Sequence, residues 1–203
     1  KPIVGFSDAT ALLAWAHHAG VRGIHGPMIA QLGDLADGDI AQLVALLTEP
    51  RAPGLRPWTL AVHGRGVHAG PLVTANLTLA SVLVGTPWAL PWDGAIAVLE
   101  EIGERPYELD RYFTQLALTG ALARPAAFVI GDLTRCEDLA PASGSGDPPD
   151  AAVATILERL GDRPVAVGAP IGHGTRNEAV PFGAHAILDL DAATLEITEA
   201  AVT

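Results

Sequence analysis

Glu100 and Glu101 follow directly on an unbroken apolar run, Ala95-Ile96-Ala97-Val98-Leu99, and His173 stands between two glycines in Ala169-Pro170-Ile171-Gly172-His173-Gly174. The run reads as a strand buried on both faces, so both carboxylates lie where that strand ends. Ligands of open α/β sheets gather at the carboxyl ends of strands, which makes Glu100 and Glu101 site candidates by position. A strand-end carboxylate and a loop imidazole can act as the orienting acid and the general base of a nucleophilic triad. Imidazole suits the base because its unperturbed pKa lies near neutral pH. A lone glutamate past a strand is ordinarily a solvated charge, and a loop histidine ordinarily bonds to backbone. The glycines on both sides of His173 permit close approach and favour the catalytic role.

These groups need a scaffold, and the flanking patterns supply one. After Glu101, Gly103 and Pro106 turn the chain, and Leu109, Phe113 and Leu116 recur at helical spacing until Gly120 stops the helix. Pro164 to Gly168 is the apolar strand that feeds the His173 loop. At the start, Pro2 to Phe6 reads as a strand, Ser7 or Asp8 as the cap of a helix ending at Gly20, and Val21 to Ile24 as a second strand. Asp39 to Leu47 reads as an amphipathic helix. The proline-rich stretch 49–57 has no periodicity and is the expected linker, dividing the chain into 1–48 and 58–203.

Past the linker, Trp58 to Val62 and a short stretch near Val67 read as strands, and Asn76 caps a helix from Leu77 to Val84. Ala126 to Ile130 is a buried strand, Ala140 to Asp150 a surface loop, Ala151 to Leu160 a helix, and Ala184 to Ile197 a hairpin turning at Asp191-Ala192. Strands alternating with helices make the fold class α/β: the end of one α/β domain followed by a mixed, swivelling β/β/α-like domain.

Charge narrows the partners. With 12 Lys+Arg against 23 Asp+Glu the net charge is −11, which opposes binding to nucleic acid or an anionic membrane. The single cysteine, Cys136, excludes an internal disulfide, agrees with a reducing compartment, and reads as a small buried residue beside carboxylates that oppose thiolate formation. The 7 histidines are scattered without metal-ligand spacing, so no metal or other cofactor is expected. No leader and no bilayer-length apolar run is seen, which points to the cytoplasm. Asp110-Arg111 is expected as a surface ion pair or an aid in aiming the Glu100 loop, His25 as a structural histidine at an interdomain face, and Trp88 and Trp92 as possible cleft walls.

Seven short motifs, in order along the chain, carry a resemblance: Val4-Gly5-Phe6-Ser7-Asp8-Ala9-Thr10-Ala11-Leu12, His25-Gly26-Pro27-Met28, Asn76-Leu77-Thr78-Leu79, Gly85-Thr86-Pro87, Leu99-Glu100-Glu101, Asp110-Arg111 with Thr114-Gln115-Leu116, and Gly172-His173-Gly174. The chain resembles the LD-carboxypeptidase family of serine peptidases, with the microcin C immunity peptidases as a sister branch. The resemblance implies cleavage of cytoplasmic murein tetrapeptides with release of D-alanine, in peptidoglycan recycling, by a homodimer. It gives Glu100 the place of the triad carboxylate and His173 that of the base. The family's serine is expected upstream of Lys1, in an N-terminal domain the chain lacks, with Ser7 assigned to a later strand-end motif. On that expectation the chain alone is inactive. An aminoacyl-nucleotide amide as substrate, or a non-catalytic binding or oligomerisation module, are the alternatives.

Overall fold

The computed structural model describes residues 1–137 and 150–203, so the loop expected from Ala140 onward lies outside the described residues until Asp150. In chain order the elements are β1 (Ile3–Gly5), α1 (Ala9–His18), β2 (Gly23–His25), α2 (Asp37–Thr48), β3 (Gly54–Leu55), β4 (Ala61–His63), β5 (Val67–Asn76) and α3 (Leu77–Leu83). They continue with β6 (Ile96–Ile102), α4 (Pro106–Leu118), β7 (Ala127–Thr134), α5 (Ala151–Leu160), β8 (Val165–Val167), β9 (Val180–Pro181), β10 (His185–Asp189) and β11 (Thr194–Ile197). Mixed α/β structure is what the alternating pattern predicted.

The larger sheet has eight strands in the order β3-β11-β10-β5-β6-β7-β8-β4. Its middle, β5 to β8, is parallel, as strands joined by helical crossovers must be, while β10, β11, β3 and β4 are antiparallel additions. The strand expected near Val67 is longer than its apolar signal. Residues 67–71 of β5 pair with β10 and residues 72–76 pair with β6, so one strand serves two halves of a curled sheet.

Alternation along β6 explains both cores. Ala97 and Leu99 face α3, α4 and α5, where Leu109, Phe113, Leu116 and Leu160 are fully buried. Ile96 and Val98 face the other way, into a cluster with Leu188, Leu195 and Ile197 of β10 and β11. Side chains on successive strand residues point to opposite faces, so Glu100 and Glu101, which continue this strand, are separated by the same rule.

A smaller sheet, β1-β2-β9, holds the first 25 residues. β1 and β2 are parallel around α1, and β2 pairs antiparallel with β9 from far downstream. Residues expected as a bare linker instead contribute β3, which pairs with β11, and Arg56, whose guanidinium bonds Glu178. Low periodicity in 49–57 reflected short pairing rather than its absence. The Asp110–Arg111 pair does not form: Asp110 pairs with Arg159 of α5, and Arg111 lies 4.8 Å over the Tyr107 ring. Neighbours in sequence on a helix point about 100° apart, which favours partners on other turns and helices. Among the described residues no helix is long and apolar enough to cross a membrane.

Candidate active site

β6 delivers Glu100 into the sheet with 1% of its surface exposed. Opposite it the β6–β7 register slips: Leu99 pairs with Ile130 but Glu101 with Leu133, so Gly131 and Asp132 together face Glu100. Such a bulge bends the strand and re-aims the side chains around it. The loop after β8 then brings His173 over the strand end, with Nδ1 2.7 Å from Glu100 Oε2. Gly172 makes this approach possible. It has φ +135°, and a Cβ there would stand 3.0 Å from Glu100 Oε2. Gly174 is packed more tightly still, since a Cβ would lie 2.3 Å from Asp132 Oδ2. The sequence spacing thus placed both glycines where the loop needs them.

Burial raises the Glu100 carboxyl above its ordinary range, and the hydrogen bond and charge of His173 only partly offset this. Burial alone would lower the His173 pKa, yet it is raised, because the Glu100 hydrogen bond and the charges of Glu100, Glu101 and Asp132 together outweigh it. With Nδ1 held by the carboxylate, Nε2 is the ring nitrogen left to exchange a proton with a reacting group.

Glu101 turns to the opposite side. Its Oε1 accepts from Asn76 Nδ2 and its own neighbour Ile102 N, both at 2.8 Å, and Oε2 accepts from Thr78 N at 2.8 Å and Thr78 Oγ1 at 2.7 Å. Asn76 caps α3 as expected, its Oδ1 accepting from Leu79 N at 3.1 Å. Glu101 therefore fastens the start of α3, and Glu100 alone meets the imidazole.

Segment 1–25 supplies the remaining wall. The Phe6 ring lies 4.6 Å from the His173 ring, centroid to centroid, and His25 packs edge-on against the other part of Phe6 at 6.1 Å. Asn76 N donates to Thr10 Oγ1 at 3.0 Å, tying the first turn of α1 to the strand beside Glu100. Between Phe6 and this turn comes Ser7, with φ +59°. A non-glycine residue in the left-handed region is strained, and here the strain sits on a sharp strand-to-helix turn. Gly5 allows the turn to close, because a Cβ at that position would stand 2.6 Å from Ala9 Cβ.

The pattern Gly5-Phe6-Ser7-Asp8-Ala9 is therefore a glycine, a strained serine and a small residue at the spacing of a nucleophile elbow. This is the feature that sequence reasoning passed over. Its signal was present, in the small residues two before and two after the serine, but the serine was assigned to a strand-end motif. Neither Ser7 nor Asp8 caps α1 as expected: Asp8 occupies the N-cap position in a helical conformation and makes no side-chain cap bond.

A cleft of about 510 Å³ opens beside His173, between Gln31, Asp34 and Leu35 on one side and Thr134, Gly174 and Thr175 on the other. Trp88 and Trp92 are not among its walls. They precede β6, at the end of the strand away from Glu100, where Trp92 is buried and the exposed Trp88 ring meets His18. His25 is fully buried, with its pKa pushed down to about 3 by burial and by the His173 charge. Burial, helped by Glu101 and Glu104, raises Cys136 to about 11, so it is no nucleophile at neutral pH. Among the described residues no group of three or more His, Cys, Asp or Glu is placed to hold a metal ion.

A family description, the LD-carboxypeptidase C-terminal domain, matches residues 69–188. A putative carboxypeptidase of Synechocystis sp. is 36% identical over 197 residues, covering 96% of this chain and 63% of the relative. The murein tetrapeptide carboxypeptidase of Pseudomonas aeruginosa is 31% identical over 205 residues, covering 93% and 63%. Among solved structures, the muramoyltetrapeptide carboxypeptidase from Oxalobacter formigenes superposes with a TM-score of 0.82 at 27% identity, covering 100% of this chain and 70% of that one. The chain thus spans 63% of the length of these two sequence relatives. With the domain match, the level of identity and the shared fold in agreement, the chain belongs to the LD-carboxypeptidase family.

Proposed function

We propose that this protein is a serine LD-carboxypeptidase that releases the terminal D-alanine of murein tetrapeptides, with Ser7 as nucleophile, His173 as base and Glu100 as its orienting carboxylate. The observation that carries the reading is the strained Ser7 turn, whose neighbour Phe6 packs on the ring of a histidine already bonded to a buried carboxylate. In place of a nucleophile supplied from upstream, the proposal puts all three groups within these residues. The division into 1–48 and 58–203 is part of it: the first part brings the serine, the second the histidine and the glutamate.

A serine hydroxyl is inert at neutral pH until a base takes its proton. His173 Nε2 takes it as Oγ attacks the carbonyl carbon before D-alanine, and Glu100 stabilises the imidazolium that forms. The backbone N–H of Asp8, at the start of α1 where helical N–H groups lack intrahelical acceptors, is the oxyanion donor in this reading. His173 then returns the proton to the leaving amine, and the acyl-enzyme is hydrolysed by water activated by the same base.

The buried dyad weighs against a non-catalytic module. Cytoplasmic peptidoglycan recycling and a homodimer remain expectations of the same reading. The test is release of D-alanine from murein tetrapeptide by the purified protein and by Ser7→Ala. Loss of release with the fold intact supports the assignment; full activity of Ser7→Ala removes Ser7 from it.

A further inference from the structure

The loop that carries His173 is fastened to a helix from the other end of the chain. Asp39, in the first turn of α2, is fully buried. Its Oδ1 and Oδ2 each accept from Arg176 Nε at 2.9 Å, Oδ1 accepts from Arg176 Nη2 at 2.6 Å, and Oδ2 accepts from the Asn177 backbone N–H at 3.2 Å. Asn177 Oδ1 in turn accepts the N–H of Gly172 at 3.2 Å, one residue before the histidine. Glu178 closes the segment, with its N–H on Pro170 O at 2.8 Å and its carboxylate taken by Trp58 Nε1 at 2.9 Å and Arg56 Nε at 2.8 Å.

A loop with glycines at 172 and 174 has many conformations open to it, and only one puts the ring on Glu100. Misplacing a catalytic group by about 1 Å can cost on the order of a hundredfold in rate. Buried ion pairs add little net stability compared with apolar packing of the same volume, and a better-attested use of them is to select one geometry. None of Asp39, Arg176 and Asn177 touches the Glu100–His173 pair directly, yet together they bond the backbone on both sides of the histidine.

We infer that Asp39 is a positioning residue for His173: through Arg176 and Asn177 it holds the Gly172–Glu178 loop so that the imidazole meets Glu100 and the Ser7 turn at once. This rests on the reading of His173 as the base. The link also runs between 1–48 and 58–203, so it holds the serine-bearing and histidine-bearing parts in register.

Asp39→Asn tests it. The substitution keeps the shape, and Arg176, whose side chain is 48% exposed, can turn to water. The first readout is NMR of the His173 ring, whose charged or titratable neighbours are Glu100 and Glu101 on β6, Asp132 on β7 and His25 on β2. The expected result is weakening of the downfield Nδ1 proton signal and a His173 titration moved down toward the ordinary histidine value. With murein tetrapeptide, kcat should fall about ten- to a hundredfold with KM held within about twofold. A folded Asp39→Asn protein whose His173 signal and titration match the wild type overturns the inference. Should that variant not fold, Arg176→Lys, which keeps both charges but cannot fork two bonds, is read the same way: a smaller displacement in the same direction supports it, no displacement overturns it. The ring measurement needs no substrate, so a protein that releases no D-alanine would count against the proposed reaction and leave this result to be judged alone.

Discussion

Glu100 and Glu101 are adjacent on one strand, equally removed from water and opposite in what surrounds them. Glu101 has four hydrogen bonds that fill both oxygens and pin the start of α3. Glu100 has one strong partner, His173, while its Oε1 has no hydrogen-bond partner among the described residues. A buried carboxylate with full hydrogen bonding serves the fold, whereas one left partly unsatisfied costs it about 1–3 kcal/mol. Strain and unsatisfied polarity persist where function requires them, and here the strained Ser7 follows the Phe6 ring that packs on His173, the partner of the Glu100 carboxyl. The difference shows that position at a strand end makes a carboxylate available, and its partners decide its use.

The largest expected effect breaks the pair at Glu100. Glu100→Gln should lower kcat on the order of ten-thousandfold, because the amide neither fixes the His173 tautomer nor stabilises the imidazolium. Its thermal midpoint at neutral pH should not fall, since burial holds the carboxyl above its ordinary 4.5 and the ionised form is a cost to folding there. A large loss of stability with activity retained would invert the comparison.

Glu101→Gln should do the reverse. Losing charge-assisted bonds to Thr78 and Asn76 should cost about 1–3 kcal/mol in denaturant unfolding, with kcat per folded molecule little changed. Next comes pH. His173 has a folded pKa above 6.5, so the base is lost to protonation from higher pH than for a free histidine, and the acid limb of kcat/KM should be centred above that value. The linked stability runs the other way: the pair's contribution is present below the ordinary histidine value and is lost as pH rises through the raised one. In Glu100→Gln, His173 should titrate at lower pH than in the wild type, read by NMR. The smallest effect is Thr78→Val, which removes one hydroxyl bond to Glu101 and should cost about 1 kcal/mol by chemical denaturation.

Regular parts of the fold were legible because their signals are local. The apolar run before Glu100 became β6, Asn76 became the α3 cap, and the spacing of Leu109, Phe113 and Leu116 became the buried face of α4. Residues 49–57 were less legible, because two residues of pairing leave no periodicity to read. Trp88 and Trp92 misled because nearness in sequence to a site strand says nothing about which end of that strand a loop occupies.

Residue order alone determined the helix and strand inventory, the acidic character of the chain and the strand-end position of Glu100, since propensity, charge and alternation act over a few residues. Only the tertiary structure decided that Glu101 turns away to fasten the start of α3, that Ser7 is held in a strained turn next to the Phe6 ring packed on His173, and that Asp39 reaches the Arg176 loop. Those outcomes depend on a register slip between strands, on a curled sheet and on contacts spanning 137 positions, and long-range geometry of that kind exists only once the cores on both faces of the sheet have closed.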